Sequence, residues 1–197
     1  MCGWCPLDGN SLTLQQYHDN GDPGITEKGR DLNRFRCELN AYRNLSSLGV
    51  CEKGLVPRCY GYIDQLDPKK YRPYLDHFLH DLYNPKAIIF EYLPNAEGLN
   101  CVNYSKQRFQ TVIDGLKEIH KAFIHHHDIY PRNMLLVPGS PERMLWVDFD
   151  VAITFPNREA MSRKDEEYSL YEEILVEDLG QLLVWIYTHS KSCPRWN

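Results

Sequence analysis

A mixed α+β fold is what the sequence predicts, and three observations carry it. Apolar residues recur at three- and four-residue steps in three separate stretches, as amphipathic helices require. Short apolar runs bounded by proline and glycine lie between them, as expected of buried strands. The order is a short strand, a helix, two strands, a helix, a polar loop, a hairpin and a last helix. That order differs from the regular βαβ alternation of a parallel sheet.

Composition agrees. The chain has 197 residues, enough for one domain or for two small lobes sharing a core. Hydrophobic residues make up 43% and charged residues 25%, the balance of a globular protein with a packed core. Twenty-seven acidic and 22 basic residues leave a formal charge of −5. A chain of that sign has no general attraction for nucleic acid or for an anionic membrane. "MCGWCPLDGN" has no basic region followed by an apolar run, so no secretory signal is read, and no apolar run is long enough to span a bilayer. An intracellular place, cytoplasmic or nuclear, is expected, with the seven cysteines reduced. Cys2 and Cys5 form a single C-x-x-C, half of a zinc site with no matching second pair, and read as free thiols on a frayed terminus.

The elements follow in order. "SLTLQQYHD" alternates as a short strand at Leu12, Leu14 and Tyr17, and "NGDPGITEKGRD" is a loop. In "LNRFRCELNAYRNLSSLG", Phe35, Leu39, Tyr42 and Leu45 mark one helical face, with Gly49 as its stop. "GLVPRCYGYID" is extended, and "DPKKYRPYLDHFLHDLYNPK" is a proline-broken insertion with one helical turn. "AIIFEYL", residues 87–93, is the clearest buried strand. A helix beginning near Asn103 puts Phe109, Val112, Ile113, Leu116, Ile119 and Phe123 on one face. "MLLV", "PGSPER" and "MLWVDFD" read as strand, bend and strand. A last helix covers roughly 166–189, with Leu175, Leu179, Leu182, Leu183 and Ile186 facing inward.

Between the second helix and the hairpin lies "FIHHHDIYPRNMLL". Pro131 makes this a loop, and Asp128 and Asn133 stand on either side of it. Folding the hairpin brings Asn133, just before its first strand, near Asp148, at the end of its second. An amide oxygen and a carboxylate then meet at one mouth, which suits Mg²⁺, a hard cation that takes one or two protein oxygens and completes its shell with water and phosphate. Asp128 is left to accept a proton from a hydroxyl group. Ordinary turn chemistry also places Asp and Asn in loops. His125, His126 and His127 alternate in direction along an extended segment, so they do not share one ion easily.

"HHDIYPRN" resembles the catalytic loop of the protein kinase-like superfamily, H-R-D-L-x-x-x-N, and "VDFD" resembles its D-F-G segment. The resemblance runs from about residue 30 to about residue 190, in the manner of short, N-terminally degenerate kinase-like proteins of fungal type. It implies a kinase-like fold with a degenerate segment at 1–30, a reduced N-terminal lobe at 31–93 and a partial, mainly helical C-terminal lobe at 94–197. It implies ATP and Mg²⁺ as cofactors, and phosphoryl transfer to a hydroxyl of a protein or small molecule. By the same resemblance Asp128 is the catalytic base, assisted by Asn133, and Asn133 and Asp148 hold the metal. His126 is the loop's structural histidine, and Glu38 on helix C is the glutamate that pairs with a strand lysine. The backbone around Glu91, Tyr92 and Leu93 faces the adenine, and Asp178 on helix F supports the catalytic loop.

The departures are specific. The third motif position is Asp150 in place of glycine, His127 replaces the arginine, and Tyr130 stands where many protein kinases carry lysine. No G-x-G-x-x-G occurs, and Gln15 occupies the place of the strand lysine, with Lys28 in a turn-rich stretch nearby. The alternatives to an active phosphotransferase are therefore a pseudokinase scaffold that binds a partner, and a truncated fragment.

Overall fold

The structure is a computed structural model that describes residues 21–189 and the backbone of residues 2–5 and 15–18. Among the described residues it is a mixed α+β fold with three α-helices and small antiparallel sheets. Near the N-terminus β1 (Cys2–Cys5) pairs antiparallel with β2 (Gln15–His18). Cys2–Cys5 is thus a strand and not a frayed end. Leu12 and Leu14, given to a strand from their alternation, lie outside the described residues, as does the tail 190–197.

Helix α1 (Arg34–Ser47) begins where Asn33 accepts a hydrogen bond from the Arg36 amide and ends before Gly49, whose φ of 74° suits glycine. It buries Leu39, Tyr42 and Leu45 as its periodicity requires, and Cys37 and Ala41 with them. Strands β3 (Cys59–Ile63) and β4 (Ala87–Phe90) pair antiparallel, with Cys59 opposite Phe90. The polar insertion between them holds two short 3₁₀ turns, Pro68–Tyr71 and Asp76–Phe78. Strand β4 stops at Phe90, so Glu91, Tyr92 and Leu93 follow the strand expected to contain them.

Next come β5 (Glu97–Gly98) and α2 (Lys106–Lys121), the latter capped by Ser105. Strand β6 (Ile124–His125) follows, then a 3₁₀ turn at Pro131–Asn133 and the hairpin β7 (Met134–Val137) and β8 (Arg143–Trp146). Met134 faces Trp146 and Val137 faces Arg143, and β5 adds a third strand beside β7. The hairpin's second strand ends at Trp146, two residues before Asp148. Trp146 donates its indole N–H to the Val112 carbonyl at 2.9 Å, which clamps the hairpin to α2. Gly115 makes room for that indole, since a β-carbon there would stand 3.1 Å from it.

Strand β9 (Ile153–Thr154) pairs with β6, and α3 (Arg163–His189) closes the described chain. It starts three residues earlier than its pattern suggested. Gly180 of α3 lies against the Phe109 ring of α2, where a β-carbon would come within 2.2 Å. The buried face of α3 is Glu172, Val176, Gly180, Leu183 and Ile186, while Leu182 is exposed. One buried cluster extends from Tyr42 and Leu45 on α1 through Leu116, Met134, Trp146 and Phe149 to Leu183 on α3. Cys37, Cys51 and Cys59 are free thiols, and Cys101 is disulfide-bonded, against the expectation of reduced cysteines throughout. A pairing of that kind depends on spatial neighbours, which an odd cysteine count does not reveal. No helix among the described residues is long and apolar enough to cross a membrane.

Candidate active site

The loop from His125 to Asn133 is held by one of its own histidines. His126 is 0% exposed, with its ring centroid 5.0 Å from that of Trp146 and 4.7 Å from that of Phe149. Its Nε2 donates to the Val147 carbonyl at 3.0 Å, and its Nδ1 accepts the Asp128 amide at 3.3 Å. Those partners require the neutral ring protonated on Nε2. Burial also lowers the His126 pKa. The ring thus ties the backbone before Asp148 to the backbone of Asp128. His125 and His127 turn the other way, toward Tyr168, whose hydroxyl lies 2.8 Å from His127 Nδ1. Burial drives the His127 pKa down to about 4.

Asp128 and Asn133 are in contact. The Asn133 amide nitrogen donates to Asp128 Oδ2 at 2.7 Å and to the Asp128 carbonyl at 2.9 Å. The Val147 amide donates to the Asn133 carbonyl at 3.0 Å, which sets Asp148 beside Asn133. Asp148 has a φ of 69°, a left-handed conformation that aspartate tolerates better than most residues and that turns the chain sharply after the hairpin. Burial, and then the charges of Asp150 and Asp128, raise the Asp148 pKa. Asp128 and Asn133 thus meet side chain to side chain, and the backbone bond brings Asp148 close enough to sense the charge of Asp128.

Two cations border the site. Arg132 donates to Asp128 Oδ2 at 3.1 Å, and its guanidinium lies 5.0 Å from the Tyr130 ring centroid. Arg34 bonds Asp150 at 2.6 Å, tying α1 to the D-F-D segment. Glu38 has no cation partner among the described residues. Its carboxylate accepts the Phe149 amide at 3.4 Å, so the lysine pairing expected of it is absent there. Burial, reinforced by Asp148 and Asp150, pushes its pKa up from 4.5 to about 7 despite that bond. A carboxyl raised in this way favours the folded state while protonated. Its contribution is full below about pH 4.5 and is lost as pH rises through about 7. Glu38→Gln is expected to remove that loss, so the variant gains on the wild type between about pH 5 and 8 in urea denaturation. Parallel stability curves for the two proteins would refute it.

Glu91 bonds Arg143 at 2.5 Å and accepts the Arg58 amide at 3.1 Å. Burial opposes ionisation, but these partners outweigh it and hold the carboxyl below its ordinary range. The Glu91 amide itself is spent on the Arg58 carbonyl at 2.9 Å. That leaves the backbone of Tyr92 and Leu93, which makes no hydrogen bond among the described residues, and the Tyr92 side chain is 87% exposed. Gln15 sits on β2, and only its backbone is described.

The support of the loop is not where the resemblance put it. Asp178 is exposed on α3. Glu172 takes that place, 0% exposed, with Oε2 accepting the His126 amide at 3.1 Å and Oε1 accepting the His127 amide at 2.7 Å. Six residues separate the two acids, about 240° of helical rotation, so when one faces the loop the other faces solvent. His120 on α2 completes the anchor, with Nε2 2.9 Å from Glu172 and Nδ1 3.2 Å from Glu173. Hydrophobic periodicity gives no signal for a buried glutamate inside an apolar stripe.

Acidic side chains dominate this site. Asp128, Asp148, Asp150 and Glu38 concentrate negative charge, and the two flanking arginines are each spent on one aspartate. No group of three or more His, Cys, Asp or Glu side chains with metal-binding geometry occurs among the described residues, so the all-protein cage is absent there. Mg²⁺ bound with phosphate needs no such cage. The sequence matches no model of a known protein family, and no curated protein matches it.

Proposed function

We propose that this chain is a kinase-like phosphotransferase domain that uses Mg-ATP and a hydroxyl-bearing protein or small-molecule acceptor. The observation that carries the proposal is the contact of Asp128 with Asn133 at 2.7 Å, beside Asp148 at the hairpin mouth. Asn133 and Asp148 would hold magnesium, which supplies neutralisation of phosphate charge when bound. Asp128 would accept the acceptor hydroxyl's proton, and Arg132 stands closest to it as a cation for the moving phosphoryl group. His126 and Glu172 fix the loop so that these groups are already aligned. Tyr92 and Leu93 offer free backbone for the adenine edge.

A thermal-shift titration tests this. Mg-ATP at a hundredfold excess over its Kd should stabilise the protein by about 2.7 kcal/mol, and ATP without magnesium by much less. The absence of any shift at millimolar Mg-ATP would refute nucleotide binding. One observation favours a second reading, a pseudokinase that binds without transferring. Glu38 lacks a cation partner among the described residues, and a neutral Gln15 cannot clamp phosphates. A magnesium-dependent shift with no phosphotransfer would select it.

A further inference from the structure

We propose that the open cavity between the end of α2, the Arg158–Ala160 turn and the first half of α3 binds a small organic carboxylate with an apolar body, held by Lys117. The cavity encloses about 620 Å³, well within the size range of small-molecule sites. Its apolar lining comes from Phe123, Met161 and Leu170. Phe123 has a φ of 62°, costly for a bulky residue. Two backbone bonds fix it there, from its amide to the His120 carbonyl at 2.9 Å and from the Phe155 amide to its carbonyl at 2.8 Å.

The cations that line the cavity are paired, with one exception. Arg158 pairs with Glu166. Lys121 pairs with Glu118 at 2.6 Å, and Glu173 faces His120 Nδ1 at 3.2 Å. The Ser169 hydroxyl lies 3.1 Å from His125 Nε2. Lys117 is the exception: half-buried on the cavity wall, its ammonium has no ion pair or hydrogen bond among the described residues. An ammonium without a counter-charge at the wall of an apolar cavity attracts an anion, which gains a charge-assisted hydrogen bond there. The apolar lining then receives the rest of the ligand. This site lies on the α2–α3 side, and its proposal does not rest on phosphotransfer.

Phenylbutyrate and its neutral counterpart phenylbutanol, titrated into the full chain by calorimetry, test it. The carboxylate should bind saturably at one site, about tenfold more tightly than the alcohol. Lys117→Met keeps the apolar stem and removes the charge, and should reduce that preference to less than about twofold. Backbone amide shifts should centre on Lys117, Phe123 and Leu170. No saturable binding of the carboxylate, equal binding of the alcohol, or a preference that survives Lys117→Met would each overturn the proposal. The first comparison uses the wild-type chain, so it holds whether or not the variant folds.

Discussion

Asp128→Asn is expected to lower phosphotransfer by about 10²- to 10⁴-fold while leaving Mg-ATP binding and thermal stability close to wild type. The substitution keeps the shape and removes the basicity. An asparagine oxygen at position 128 can still accept the Asn133 amide, the 2.7 Å bond that shapes the loop. The Asp128 amide can still donate to His126 Nδ1, because that bond belongs to the backbone. What disappears is an oxygen that can take a proton from the attacking hydroxyl, and the charge that pairs with Arg132 at 3.1 Å. That pair is half exposed on the arginine side, so its loss costs little stability. Rates of labelled phosphate transfer, measured beside the magnesium-dependent thermal shift, separate the two effects. A variant that transfers at the wild-type rate would remove Asp128 from the chemistry and assign the activity elsewhere.

Local pattern and long-range placement were unequally legible in the sequence. The hairpin could be read because Pro138, Gly139 and Pro141 separate two apolar runs, and its closure brings Asn133 to Asp148 by geometry alone. His126 does point away from His125 and His127, but not through the extended backbone assumed: β6 ends at His125, and His127 has a φ of 60°. The inner face of α3 was harder. Leu182 matches the helical period yet is exposed, and Glu172 breaks the pattern yet is 0% exposed. Its burial depends on what α2 and the loop present to it: the ring of His120 and two unpaired amides. No window along one segment contains that information, because the partners come from three different elements. Glu38 is a comparable case. Its position on α1 was evident, but its bond to the Phe149 amide depends on how the D-F-D segment folds against the helix.

Glu172 therefore defines the sharpest stability test. Burial by itself would raise its pKa, but His120 and the amides of His127 and His126 outweigh burial and hold the carboxyl below its ordinary value. The folded state thus prefers the ionised form, and this contribution is present above the unfolded pKa and lost as pH falls through the folded one. Glu172→Ala leaves His120 and two amides without their acceptor in a dry site, a loss of about 3–5 kcal/mol. Glu172→Gln retains one oxygen but turns an NH₂ group toward a backbone N–H or the ring, so at least one donor loses its partner, at about 1–3 kcal/mol. Asp178→Asn touches an exposed side chain on the opposite face and should stay within about 0.5 kcal/mol of wild type. Urea denaturation of the three variants measures the ordering directly. If Asp178→Asn proved as damaging as Glu172→Ala, α3 would have to be rotated by about a third of a turn about its axis, and the loop would hang from the other acid.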